Sequence, residues 1–218
     1  QEHGTTGVAA GLASTGKIPV FAAIAAFVTN RNYEAFRNDI AYMGQNVKIV
    51  GRNGGITYSD LGPTHYSLED YAIIRMLPGV VVLSPQDPGE IREAAKAMIE
   101  HDGPVYMRIG GPSIPDLFPQ APFTIGEGRM IREGSRATVV TTGTITPEVV
   151  VAVQRLADDG IDVDLIGMPT VEPVDAALIR ASAHRTGRVI TVEEHYTRGG
   201  LSAAVGEALA TSGIPVHA

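Results

Sequence analysis

The segment NGGITYSDLGPTHYSLED, from Asn53 to Asp70, is the part of the sequence around which the rest is arranged. It joins a strand-like apolar run at 47–50 to a helix-like run at 71–77. Its three glycines allow unusual backbone angles and a close approach to a ligand, and functional residues are often found on loops that a rigid scaffold holds. His65 is therefore expected at the edge of a pocket, although the same pattern also allows a long structural turn with a surface histidine.

Two stretches of the sequence carry helix-capping patterns. Ser67, with Asp70 three residues further on, predicts a helix that begins at Ser67 and covers 67–77. The run Asp87-Pro-Gly-Glu90 places an Asp cap, a proline in the first turn and a glutamate at the third position. It predicts a second helix that ends near residue 100.

Strand and helix patterns alternate along the whole chain. Strand patterns occupy 20–26 (where the alanines also allow a helix), 47–50, 80–83, 105–109, 137–142, 163–168 and 188–193, and a further strand pattern begins at 214–218. Helix patterns occupy 4–14, 33–43, 67–77, 87–100, 146–159, 174–183 and 201–210. The alternation predicts right-handed βαβ units, and therefore an α/β fold with parallel sheets covered by helices.

The pattern is interrupted once, between Gly110 and Pro122, where two glycines and four prolines cluster. Such a stretch is typical of a linker, so we expect two consecutive α/β domains, at 1–112 and 123–218, joined by 113–122. Residue 1 is Gln and lies at a loop-to-helix junction. We therefore expect the sequence to be part of a longer chain, or of one whose ends were not seen.

The composition narrows the class of protein. Among 218 residues, 24 are acidic and 17 basic, a net charge of −7, and no basic patch dominates, which argues against nucleic acid as the main partner. The absence of cysteine from the sequence excludes disulfides, thiolate catalysis and cysteine–metal sites, and it suits a cytoplasmic location. The longest apolar run, 18–28, is too short to cross a bilayer, so no membrane partner is expected.

Several motifs, in this order, resemble those of transketolases. The chain opens with QEHGTTGVAAGLA at 1–13 and continues with an aromatic segment that begins at Phe27. The GPTH run at 62–65 and the LED run at 68–70 follow, and the second half carries RVITVEEH at 188–195 before two glycines. Each piece alone is weak, but the ordered set covers essentially the whole chain and is typical of the thiamine-diphosphate superfamily, and of its transketolase branch in particular.

The resemblance implies half of an enzyme. Transketolases have three domains, and the first binds the diphosphate of thiamine diphosphate through Mg²⁺ and a GDG-type motif, which this sequence lacks. The chain is similar to the second (pyrimidine-binding) and third domains. We therefore expect no metal ligands here and a separate diphosphate-binding N-terminal subunit that holds Mg²⁺, in an α₂β₂ split transketolase. A fragment of a single-chain enzyme is the alternative.

The resemblance also assigns site residues. Glu2 matches the glutamate that hydrogen-bonds N1′ of the cofactor's aminopyrimidine, and Phe27 matches the aromatic residue that stacks on that ring. Ile24 stands where many transketolases have a second aromatic residue, and Arg31 lies in the same cofactor-binding segment. His65 matches a loop histidine that contacts the sugar-like substrate and moves protons near neutral pH. From position alone, a helix-end acid is the more common interpretation of Glu2, and a core residue is the more common interpretation of Phe27. The resemblance reverses the interpretation of Glu2.

Three positions depart from the transketolase pattern for sugar phosphates. Asn53 replaces a histidine, and Leu61 replaces an acid, with Asp60 one position earlier. Gly111 replaces an arginine, with Arg108 three residues before it. We place Asn53, Asp60, Leu61 and Arg108 at the substrate. Because arginine and histidine bind phosphate, the departures predict an unusual donor or acceptor, or a phosphate grip supplied by the other subunit.

Two other functions stay open. One is a decarboxylating relative, similar to a deoxyxylulose-phosphate synthase or to the beta subunit of a 2-oxo acid dehydrogenase. The other is a non-catalytic scaffolding or regulatory homologue, against which the retained residues Glu2, Phe27 and His65 argue.

Overall fold

The chain folds into two sheets with helices on their faces, which confirms the predicted α/β class. A computed structural model describes residues 1–110, 113–118 and 122–218. The strands in these ranges are β1 (Val20–Ile24), β2 (Lys48–Arg52), β3 (Val81–Leu83), β4 (Val105–Ile109), β5 (Arg129–Arg132), β6 (Thr138–Thr141), β7 (Asp164–Gly167), β8 (Thr170–Glu172), β9 (Val189–Val192) and β10 (Val216–His217). The helices are α1 (Glu2–Ala13), α2 (Ala25–Val28), α3 (Tyr33–Ala35), α4 (Asp70–Arg75), α5 (Pro88–Glu100), α6 (Thr146–Asp158), α7 (Ala176–Thr186) and α8 (Leu201–Ala208).

Shorter helical turns complete these elements. A π-helical stretch, Phe36–Tyr42, continues α3, and 3₁₀ turns lie at Gly62–Thr64 and Gly143–Ile145. Among the helices of the described ranges, none combines the length and the apolar character that a membrane span requires.

Each sheet contains four parallel strands and one antiparallel edge strand. The first has the order β1-β2-β4-β3-β8 and the second β10-β9-β6-β7-β5. β8 runs antiparallel to β3, and β5 runs antiparallel to β7. The predicted parallel sheets are confirmed, and each has in addition an antiparallel edge strand that the sequence did not indicate. Both edge strands have only three or four residues and pair with one neighbour each, so their sequences carry little pattern of their own.

β8 joins the two halves of the chain. It lies in the second half of the sequence, yet it pairs with β3 of the first sheet, where Leu83 is opposite Thr170. The two halves therefore share hydrogen bonds as well as packed side chains. The predicted bounds, 1–112, 113–122 and 123–218, fall partly on residues 111, 112 and 119–121, outside the described ranges, and stay a prediction.

The central strands of the first sheet are buried on both faces, as the unbroken apolar run at 80–83 indicates. Ile49 in β2 packs in one core with Phe36 and Ile40. Its neighbour Val50 points to the opposite face and packs with Met98 of α5, because successive side chains of a strand alternate between faces. The sheet thus holds its strand ends rigidly. Loops that follow parallel strands meet at one edge of such a sheet, where ligands usually bind.

The two predicted helix starts had different outcomes. Asp87 caps α5 as expected, since its Oδ1 accepts the backbone N–H of Glu90 at 2.6 Å. Ser67 does not cap α4, which begins at Asp70. Instead, Ser67 and Gly55 exchange two backbone hydrogen bonds of 2.9 and 3.0 Å. The prediction of a helix from Ser67 was wrong because this bridge holds Ser67 in an extended conformation.

The buried Glu90 gives the fold a pH dependence. Glu90 is 4% exposed, and burial raises its pKa to about 7. The folded protein thus binds this proton more tightly than the unfolded chain, so stability should fall as pH rises from about 4.5 to 7. Glu90→Gln, neutral throughout, should be more stable than the natural protein by about 2–3 kcal/mol at pH 8 and nearly equal at pH 4.5. Urea unfolding at both pH values measures this, and an equal difference at both would contradict it.

Candidate active site

Three segments meet at the carboxyl edge of the first sheet. Glu2 is the first residue of α1. Phe27 lies in α2, into which the chain turns directly after β1. His65 lies in what we call the site loop, residues 53–69, which follows β2 and ends at α4. Residues from distant parts of the sequence are thereby placed at one surface, as the rule for parallel sheets predicts.

Glu2 is paired with Arg31. Arg31 Nη1 lies 3.3 Å from Glu2 Oε2, and the Glu2 side chain is 19% exposed. The pKa of Glu2 lies below its ordinary value, chiefly because its own backbone N–H donates to the carboxylate, with Arg31 adding to the effect. The described residues of this chain thus favour the ionised form of Glu2, whereas a shared proton requires further shielding from water.

Arg31 also covers Phe27. Its guanidinium carbon lies 3.9 Å from the centroid of the Phe27 ring, a cation–π distance. The His65 ring packs near Phe27, with centroids 5.1 Å apart and a tilt of 58°. Tyr58 meets His65 edge-on at 5.9 Å. The structure thus places Glu2, Arg31, Phe27 and His65 in one continuous cluster, which Tyr58 extends.

The base of the site loop is closed by backbone hydrogen bonds. The bridge between Gly55 and Ser67 joins its two ends, and Gly55 has a φ of +66°, which favours glycine. Asn53 also has a positive φ, of +56°, and it is half-buried. On the far side, Asn30 donates to the carboxylate of Glu69. The loop is therefore a closed unit that holds His65 between the other site elements.

A buried ionic network lies beneath the loop. Asp70 is fully buried and accepts hydrogen bonds from Arg108 Nη1 at 3.1 Å and from the Tyr106 hydroxyl at 2.7 Å. Arg108 lies 4.6 Å above the Tyr71 ring, and the Tyr71 hydroxyl shares a 2.5 Å hydrogen bond with Ser84. Burial, with Asp70 beside it, raises the pKa of Tyr106 well above its usual value. Tyr106 is therefore a permanent donor to Asp70.

The remaining residues that were expected at the substrate or at the cofactor differ in their burial. Arg108, which the sequence analysis placed at the substrate, is only 5% exposed and donates to Asp70 at 3.1 Å. Asp60 and Leu61 are exposed residues of the site loop. Ile24 is partly buried at the end of β1. Gly111, where an arginine was expected, lies outside the described residues.

Sequence reasoning missed two contributors to the site. Tyr58 lies in the quoted segment but carried no pattern that marked it. Glu194 lies after β9 in the second half, and its Oε1 accepts the backbone N–H of Ile56 in the site loop at 2.7 Å. The only sequence signal for Glu194 was the EEH run that entered the resemblance. Within the part of the chain that the structure describes, no group of three or more His, Cys, Asp or Glu is placed to hold a metal ion.

The fold and the site define a two-sheet α/β protein with an enzyme-like site at the carboxyl edge of its first sheet. Family models extend this. The transketolase pyrimidine-binding domain matches residues 1–114, and the transketolase C-terminal domain matches residues 126–217. The chain therefore belongs to the transketolase family.

Individual relatives agree with the family models. A subunit of the apulose-4-phosphate transketolase from Phocaeicola vulgatus is 36% identical over 218 residues, 99% of this chain and 70% of that protein. A 6-deoxy-6-sulfo-D-fructose transketolase subunit from Clostridium sp. is 39% identical over 209 residues, 95% of this chain and 65% of that protein. A solved split-gene transketolase, an inactive β₄ tetramer, superimposes with a TM-score of 0.92 at 37% identity, over 100% of this chain and 71% of that one. The chain thus spans about two thirds of the length of these relatives.

Proposed function

We propose that this chain is the C-terminal-half subunit of a split transketolase. With thiamine diphosphate, it transfers a two-carbon ketol unit from a ketose donor to an aldehyde acceptor, and it is active only with a diphosphate-binding partner subunit that holds Mg²⁺. The relatives that are named as subunits of an apulose-4-phosphate transketolase and of a sulfofructose transketolase support this role. The lack of cysteine supports a cytoplasmic location.

The Arg31 contacts are the observation that carries the proposal. The planar guanidinium of Arg31 packs on the Phe27 ring, with its carbon 3.9 Å from the ring centroid, and it donates to the Glu2 carboxylate at 3.3 Å. The aminopyrimidine of the cofactor is also planar and offers a nitrogen to a carboxylate. The residues present therefore fit that ring. The Arg31 side chain is 57% exposed and flexible. The guanidinium can therefore swing off the Phe27 ring when the aminopyrimidine binds there, and it then lies beside the cofactor.

The residues of the cluster have distinct proposed roles. When bound, thiamine diphosphate supplies the electron sink for carbon–carbon bond cleavage. Glu2 holds a proton at the pyrimidine nitrogen, and Phe27 packs against the ring. Ile24, at the end of β1, adds apolar contact to the same ring. His65, whose ring centroid lies 5.1 Å from that of Phe27, moves protons at the substrate.

A partner subunit has to complete the site. Glu2 is 19% exposed, and the same helix exposes Val8 by 64% and Leu12 by 40%. A subunit that covers the face of α1 with Val8 and Leu12, and that reaches the first turn of this helix, would bury the two apolar side chains and shield Glu2, which would then share a proton more easily. The inactive state of the solved β₄ relative supports the need for a different partner. We propose an α₂β₂ assembly.

The substrate is proposed to differ from the usual pentose phosphates. Arg108 donates to Asp70 at 3.1 Å and to the Glu194 carbonyl at 2.8 Å, which argues against a phosphate as its partner. Asn53 and Leu61 stand where the family pattern has a histidine and an acid. Asp60, exposed beside Leu61, is available to a sugar hydroxyl. We infer a sugar-like donor or acceptor that is bound without a strong phosphate grip from this chain.

Reconstitution tests both proposals. The chain is combined with a diphosphate-binding N-terminal subunit of a split transketolase, thiamine diphosphate and Mg²⁺, and products are identified by mass spectrometry. We expect ketol transfer by the complex and none by the chain alone. With xylulose 5-phosphate and ribose 5-phosphate we expect rates far below those of an ordinary transketolase. Ordinary rates would overturn the substrate proposal, and release of CO₂ from a 2-oxo acid would assign the decarboxylating function instead.

A further inference from the structure

A short segment of the second half lies directly on the site loop and on the start of α4. This segment, Glu193–Tyr196, follows β9. The backbone N–H of Tyr196 donates to the Leu68 carbonyl at 2.8 Å. The His195 ring stacks on the Tyr71 ring, with centroids 5.3 Å apart and an angle of 9°. The C-terminal half therefore packs directly against the end of the site loop, at Leu68, and against the start of α4, at Tyr71.

Glu194 makes the contact that reaches furthest into the loop. Its Oε1 accepts the Ile56 N–H at 2.7 Å, and its backbone carbonyl accepts Arg108 Nη2 at 2.8 Å. A Cβ atom at Gly55 would lie 2.1 Å from the Glu194 carboxylate carbon. The Glu194 carboxylate thus packs directly against the loop backbone at Gly55, where the φ of +66° also favours glycine.

The place of that contact is the base of the site loop. Ile56 follows Gly55, whose bridge to Ser67 closes the loop. Gly54 packs closely on the Arg108 side chain, since a Cβ there would lie 2.1 Å from Arg108 Nε, and its backbone N–H donates to the Ile109 carbonyl at 3.4 Å. The residues between the two ends of the bridge carry His65, so the position of the base decides where His65 stands relative to Phe27.

We propose that Glu194 is a positioning residue for the active site. By accepting the Ile56 N–H, it fixes the base of the site loop and thereby the position of His65 over Phe27. The C-terminal half then has a part in catalysis without touching the substrate. The role of His65 rests on the proposed function, whereas the loop contact itself can be measured without any activity.

Hydrogen–deuterium exchange of the isolated chain tests the contact. The variants are Glu194→Ala, which removes the acceptor, and Glu194→Gln, which keeps an acceptor oxygen in nearly the same place. The control is Glu207→Ala, which removes a different ion pair between the halves, with Arg75 at 2.7 Å. For peptides that cover 54–67, Glu194→Ala should exchange about tenfold faster or more, because the acceptor of the Ile56 N–H is lost. Glu194→Gln and Glu207→Ala should exchange nearly as the natural chain does.

Kinetics of the reconstituted enzyme test the consequence. Glu194→Ala should lower kcat about tenfold, with the cofactor concentration for half-maximal activity unchanged, because Glu2 and Phe27 stay in place. Glu194→Gln should restore most of kcat. Unchanged loop exchange in Glu194→Ala, or a Glu194→Gln variant as impaired as Glu194→Ala, would overturn the proposal. If the natural complex shows no ketol transfer, the proposed function fails by itself and the exchange data still decide whether Glu194 holds the loop.

Discussion

Replacing Glu2 with glutamine is expected to lower ketol transfer by the reconstituted enzyme about 10²–10⁴-fold. Glutamine has nearly the shape of the carboxylate but can neither take up nor release a proton at the pyrimidine nitrogen. The folded chain should be unaffected, because the Glu2 side chain contacts Arg31 at 3.3 Å near the surface. Initial rates at saturating thiamine diphosphate measure the loss, and circular dichroism confirms that the chain is folded.

Glu34→Gln is the matched control for Glu2→Gln. It makes the same change of charge at an exposed residue of α3, outside the proposed site, and should retain full activity. If Glu2→Gln keeps the activity of this control, Glu2 is not a catalytic residue. The non-catalytic homologue would then be the better hypothesis.

Replacing Asp70 with alanine should have the largest effect on stability. Arg108 is 6% exposed at its side chain and would lose its fully buried ionic partner, while the Tyr106 hydroxyl would lose its acceptor at 2.7 Å. Breaking a buried ion pair from one side typically costs about 3–5 kcal/mol. We therefore expect a loss of about 3–5 kcal/mol in the free energy of unfolding, measured by urea denaturation.

A double variant separates this mechanism from simple cavity formation. Asp70→Ala combined with Arg108→Met removes both charges and fills part of the space, so it should recover a large part of the loss. Asp70→Asn, which still accepts from Tyr106, should lie between the natural protein and Asp70→Ala. A double variant as unstable as Asp70→Ala would show that the buried charge of Arg108 is not the cause.

The start of helix α5 and the range of strand β4 were both predicted correctly from the local sequence. The cap at Asp87 is decided by residues within one turn, and its hydrogen bond to the Glu90 N–H is present as predicted. β4 covers Val105–Ile109, the predicted range. At Ser67 the same reasoning failed, since the Gly55 backbone, twelve positions earlier, competes for its hydrogen bonds.

In the candidate site, too, some residues could be identified from the sequence and others only from the structure. Glu2, Phe27 and His65 could be selected from ordered motifs, and the structure places them in one cluster with Arg31. Arg108 could not be judged in this way. An arginine near a strand end can bind either a ligand or a buried acid, and the sequence does not say which of these lies within reach.

By itself the sequence determined the α/β class, most helices and strands, and the transketolase family, because these follow from short-range patterns and from the order of motifs. Only the tertiary structure decided that Arg108 belongs to Asp70, that β8 joins the first sheet, and that Glu194 holds the site loop. The reason is physical. These contacts join residues that are 38 positions apart for Arg108 and Asp70, and 138 apart for Glu194 and Ile56. Which partner a buried charge or an edge strand finds depends on the packing of the whole chain, and no local preference contains that choice.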